Sequence, residues 1–112
     1  MKNSAVGIGF SIFALVAGAV LFAAPAAAQS GAGVFKSRCA ACHGTDGKAD
    51  TDIGKTMHLR SLASPAVQKE SDKELTDIIA DGKDAMPGYK DKLSGTQIKD
   101  LVRYIRKLGK EK

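Results

Sequence analysis

The sequence predicts an all-α fold of three to four short helices joined by long loops. Two observations carry this: apolar residues recur at helical spacing behind serine-led start signals, and no stretch alternates with a period of two for long enough to make a strand. The first helix is expected over Gly31 to Arg38, with Val34 and Phe35 as its apolar pair. Gly44 to Gly54 is rich in Gly, Asp, Thr and Lys and reads as loop. Met57 to Leu62 is expected to form a short helical turn ended by Ser64-Pro65. Ser71-Asp72-Lys73-Glu74 has the pattern of a capping box, in which the serine side chain accepts from an orphan N–H and the glutamate reaches back. Leu75, Ile78 and Ile79 follow it at i, i+3, i+4, and Gly82 supplies the stop. A second box, Ser94-Gly95-Thr96-Gln97, opens the last helix, whose stripe is Ile98, Leu101, Val102, Ile105 and Leu108 before Gly109. Between these two helices Pro87 cannot sit in a helix interior and forces Met86 into an extended conformation on a stiff loop.

The chain has 112 residues, enough for one domain. Its first 28 read as a secretory signal peptide: a positive start at Lys2, an apolar run from Ala5 to Phe22, then Pro25 and small residues at Ala26 and Ala28. The competing reading is a retained membrane anchor, since the run is near the lower length for spanning a bilayer. The domain proper is residues 29–112. It keeps 16 of the 17 Lys and Arg and all 12 Asp and Glu, a formal charge of +4. No basic run exceeds two residues and no aromatics interleave with basic ones, which argues against nucleic acid as a partner. A mildly basic surface instead suits an acidic protein patch. The domain has no Trp, and Phe35, Tyr89 and Tyr104 are its aromatics. So small a core normally needs a staple, a metal or a cofactor.

The only cysteines are Cys39 and Cys42. A disulfide closing so short a loop would constrain the unfolded chain very little. With His43 they form Cys39-Ala40-Ala41-Cys42-His43, the pattern for attaching a c-type haem. Two thiols three positions apart on a helical turn can each add to one vinyl group along an edge of the porphyrin, and the adjacent imidazole can then bind the iron. A thioredoxin-like dithiol would need βαβ patterning, and a zinc site would need a second ligand pair; neither is present in the sequence. Met57, His58 and Met86 are the candidates for a second axial ligand, and Met86 is preferred for its place on the stiff loop between two helices. Met57 and His58 are expected to be packing and surface residues of a short turn.

The domain resembles a class I cytochrome c, most closely the short soluble forms of bacteria and of algal photosynthesis. Gly31, Phe35 and Cys39 match the G-x-x-x-F-x-x-x-C of that family's first helix, and Cys39 to Gly44 its haem site. Ile78 to Lys83 with Ala85-Met86-Pro87 resembles its ligand loop, and Leu101, Tyr104 and Ile105 the L-x-x-Y-I of its last helix. The resemblance implies one covalent haem c held by Cys39 and Cys42, with His43 and Met86 as axial ligands and Leu62 and Tyr89 as candidate haem-packing residues. It also implies that the first and last helices cross closely, Gly31 allowing the approach and Phe35 packing with Leu101 and Tyr104. One departure stands out: many relatives carry a proline before the central turn whose carbonyl accepts from the ligand histidine, whereas Met57 to Leu62 contains none. Another carbonyl is then expected to serve.

The function expected is one-electron transfer between membrane redox complexes, not catalysis, in the periplasm or another exported compartment (the thylakoid lumen if photosynthetic). The protein would be soluble after cleavage near Ala28 and membrane-bound only if the leader stays. Alternatives are a haem-based sensor in which a gas displaces Met86, and a tethered cytochrome subunit of a respiratory or photosynthetic complex. Lys48, Lys55, Lys90 and Lys92 are candidates for a basic rim that meets acidic redox partners.

Overall fold

The computed structural model describes residues 30–111 continuously, together with 3, 7, 9 and 18–20. Most of the expected leader, with its cleavage site at Ala28, lies outside the described residues. Among the described residues six helices follow in order: α1 (Gly31–Arg38), α2 (Ala40–His43), α3 (Asp52–Thr56), α4 (Pro65–Gln68), α5 (Asp72–Asp81) and α6 (Gly95–Leu108). No strand occurs among the described residues, which carry one isolated bridge, between Lys83 and Met86. None of the described helices is long and apolar enough to cross a membrane.

Two long-range packings set the frame. α1 crosses α6 so closely that a Cβ on Gly31 would sit 2.3 Å from the Asp100 carbonyl oxygen. Beside this contact the Phe35 and Tyr104 rings meet at 5.1 Å, tilted by 49°. α6 turns its whole apolar stripe inward, burying Ile98, Leu101, Val102, Ile105 and Leu108. α5 adds Leu75 and Ile79 to the same core, and Val34, Val67 and Leu93 complete it. Both capping boxes form as expected, with Glu74 Oε2 accepting from the Ser71 N–H at 2.6 Å and Gln97 Oε1 from the Ser94 N–H at 2.9 Å.

The middle of the chain differs from expectation. Gly44–Gly54 is not wholly loop, because α3 begins at Asp52. Thr51 Oγ1 caps it by accepting from the Gly54 N–H at 2.8 Å, and donates to the Cys42 carbonyl at 2.7 Å. Met57 closes α3, and His58 enters the left-handed region at φ 52°, so no helical turn continues to Leu62. Ser64-Pro65 begins a helix here. Ser64 Oγ accepts from the Val67 N–H, and Pro65 takes the first helical position, where its missing N–H has no partner to lose.

Behind α4 a side-chain clamp fixes residues 68–72 to α6. The Arg106 guanidinium donates to the Gln68 carbonyl at 3.1 Å, to the Glu70 carbonyl and to the Asp72 carboxylate. Gln68 in turn donates to the carbonyls of Leu62 at 2.7 Å and Ile105 at 3.1 Å.

Candidate functional site

The helices enclose a cavity of about 370 Å³ instead of closing on one another. Phe35, Leu75, Ile79, Leu101 and Ile105 give it apolar walls. Cys39, Cys42 and His43 enter it from the α1–α2 corner. Cys39 is the hinge of that corner: it ends α1, its N–H still donating to Phe35, and starts α2. Both cysteines are free thiols of intermediate burial. Burial first and the neighbouring Cys42 second push the Cys39 thiol up to about 11, so it stays protonated at neutral pH.

His43 is positioned by its backbone. Its N–H donates to the Cys39 carbonyl at 3.0 Å, and its own carbonyl accepts from Ala49 at 2.7 Å. Desolvation lowers its pKa, which favours the neutral imidazole that a metal requires. Its Nδ1 is buried and bonds to no described group. The substitute carbonyl expected in place of the missing proline is therefore not found among the described residues.

Met86 reaches the same cavity from a tight turn after α5. Lys83 and Met86 exchange both backbone hydrogen bonds, at 3.1 and 2.9 Å, around Asp84, which is held at φ 53°. Beyond Pro87 the chain is tied back to α5, with the Tyr89 N–H donating to Ile79 at 2.9 Å and the Lys90 N–H to Ala80 at 3.1 Å. Glycines make this possible: Cβ atoms at Gly82 and Gly88 would lie 2.6 Å from the Met86 carbonyl oxygen and 2.7 Å from that of Ala80. Leu62 and Tyr89 also line the cavity, Tyr89 donating its hydroxyl to the Arg38 carbonyl at 3.2 Å. The structure thus brings together all six sequence-predicted residues, Cys39, Cys42, His43, Leu62, Met86 and Tyr89.

Met57 and His58 line the cavity too, although both are exposed. Of the lysines expected to form a basic rim, Lys92 lies beside the cavity, its Nζ 5.7 Å from the centroid of the Tyr89 ring. Lys48, Lys55, Lys90 and Lys92 do not line the cavity, and Lys55 and Lys90 are paired with Asp50 and Asp81 at 2.8 and 3.0 Å. The cations at its walls are Arg38, Arg60 and Lys83, joined by the carboxylates of Glu70 and Asp84. Sequence reading missed Arg60 and Glu70 because they lie on irregular segments whose facing no periodicity reveals.

Residues 26–105 match the family model described as cytochrome c oxidase, cbb3-type, subunit III. The chain is 34% identical over 78 residues to a cytochrome c6 of Leptolyngbya boryana, covering 70% of this chain and 88% of that one. A solved structure, the KustC0563 c-type cytochrome, superposes with a TM-score of 0.66 at 32% identity, over 71% of this chain and 98% of that one. This chain belongs to the class I cytochrome c family. As a cytochrome c domain it is also 35% identical to the cbb3-type oxidase subunit FixP of Azorhizobium caulinodans, of which it spans only 28%.

The family implies haem c, and the residues present suit it. The cavity is walled mainly by apolar side chains of α1, α5 and α6; two free thiols and a buried imidazole with an unbonded nitrogen share it. Among the described residues no three His, Cys, Asp or Glu side chains group to hold a bare ion. Thiol, imidazole and thioether are the side-chain types through which proteins hold haem.

Proposed function

We propose that the protein is a one-electron carrier that works through a single haem c with His43 and Met86 as axial ligands. The observation that carries this reading is one cavity that gathers the Cys39-Cys42-His43 corner and the Met86 turn. When bound, haem c supplies an iron that takes up or releases one electron. Cys39 and Cys42 would hold it by thioether bonds. His43, kept neutral by burial, and Met86, fixed by its turn, would fill the two remaining iron positions, leaving no place for oxygen or another ligand. The soft Met86 thioether favours the reduced state, and the walls around Phe35, Leu75 and Ile79 disfavour the extra positive charge of the oxidised one. Both effects raise the potential. A closed ligand set also keeps rearrangement on electron transfer small, which suits a carrier more than a gas sensor.

Coverage of 88% of a cytochrome c6 supports a domain that acts by itself, while the FixP relatives suggest the second reading, a cytochrome unit of an oxidase. On the first reading the leader is removed near Ala28 and the carrier meets acidic redox partners in an exported compartment.

The test is a pyridine haemochrome spectrum with intact mass, followed by Met86→Ala. One haem with two thioether bonds, a low-spin spectrum and a midpoint that falls in Met86→Ala are expected. Colourless protein, or a midpoint untouched by Met86→Ala, would overturn the reading.

A further inference from the structure

Glu70 is the one carboxylate in the cavity wall with a buried oxygen that no described group satisfies. Its Oε1 accepts from Arg60 at 3.0 Å, whereas Oε2 is buried and bonds to no described residue. The two partners are not equally placed: the Arg60 side chain is 50% exposed and that of Glu70 21%. Water screens the cation more than the anion, so inside the cavity the pair acts as a net negative charge. Nor can Glu70 easily swing out. The Arg106 guanidinium holds the carbonyls on both sides of Lys69, at Gln68 and Glu70, and the Asp72 carboxylate beyond.

We infer that Glu70 is a potential-setting residue: its carboxylate, held in the cavity wall by the Arg106 clamp and only partly offset by Arg60, favours the oxidised state and lowers the midpoint that Met86 raises. The inference rests on the haem-carrier reading. It identifies a positioning and tuning group in the wall, outside the ligand set.

The signs make it testable. Loosening the wall would admit water and lower the midpoint whichever residue was changed. Removing the anion raises it, and removing the cation lowers it. The experiment is spectroelectrochemical titration of the haem-loaded protein as wild type, Glu70→Gln and Arg60→Gln, with a haemochrome spectrum of each. Glu70→Gln keeps an oxygen for Arg60 and should raise the ferrous-to-ferric ratio at fixed potential roughly threefold to tenfold, tenfold being about 59 mV for one electron. Arg60→Gln, at a half-exposed site that opens no buried wall, should shift it the other way. A Glu70→Gln midpoint equal to or below wild type overturns the inference, as does an Arg60→Gln midpoint equal to or above it. If Glu70→Gln does not accumulate, Glu70→Met takes its place: it removes the same charge at similar length, and its midpoint is expected above that of the wild type. Loss of haem from the wild type would instead defeat the carrier reading, and the haemochrome spectrum separates that failure from this one.

Discussion

Gly31 shows how much a single hydrogen atom can decide. The Asp100 carbonyl lies where its Cβ would be, and backbone cannot step aside as a flexible side chain can. Gly31→Ala should therefore destabilise the loaded protein by about 1–3 kcal/mol, the usual cost of overpacking, read as a lower urea midpoint with an unchanged slope. Its role, with Phe35 against Tyr104, was legible in the sequence through the family's helix pattern. Gly109 was legible as a stop but for another reason than the one found. Its φ is −67°, an ordinary helical value, and a side chain there would meet the end of the Gln68 side chain, 2.3 Å from the would-be Cβ, which would have to shift off its bonds to Leu62 and Ile105. Asp84 and His58, non-glycine residues at positive φ, sit in short local turns, Asp84 between the paired Lys83 and Met86 and His58 just after α3, where no apolar periodicity marks the conformation.

At the scale of elements, the two capping boxes differ in chemistry and so in their response to acid. Hydrogen bonds from the Ser71 backbone and side chain hold the Glu74 carboxyl below its ordinary range. A group depressed in the folded state contributes stability that is present above its unfolded value and disappears as pH falls through the folded one. The α6 box uses the uncharged Gln97. Glu74→Ala should thus lower the thermal midpoint at pH 7 and lose that effect on the acid side of the carboxylate range, while Gln97→Ala should cost the same at both pH values. Thermal unfolding followed by far-ultraviolet circular dichroism checks both. α5 and α6 could be read because each has a cap, a stripe and a stop, and α1 from its Val34–Phe35 pair and the family's helix pattern. α3 and α4 could not: a helix of one turn has no stripe, and what fixes them lies elsewhere, in the Thr51 bond to Cys42 and in the Gln68 bonds to Leu62 and Ile105. The same blindness hid Glu70.

For the whole molecule the question is whether the fold can stand with its centre open. A space of about 370 Å³ lined mainly by apolar side chains and open to solvent on one side leaves those side chains wet, so the helices around it lose part of the burial that would hold them together. The sequence hinted at this shortage through its few aromatics, although which helices would wall the cavity was not readable from it. Protein in which Cys39→Ser and Cys42→Ser prevent attachment should keep part of its helical signal and lose the near-ultraviolet signal of fixed packing. Restoration of that signal by haem alone, without thioether bonds, would show that occupancy and not tethering is what the frame requires.

The α1–α6 crossing bears on time as well as on stability. Gly31 and Asp100 meet although 69 positions separate them (100 less 31), so nearly all of the domain is a loop closed by that one contact. Loop closure of this length must be met before the contact returns anything, which slows collapse to the native state. A defect at the crossing will therefore show in refolding rate if these two helices dock in the transition state, and in unfolding rate if they dock after it.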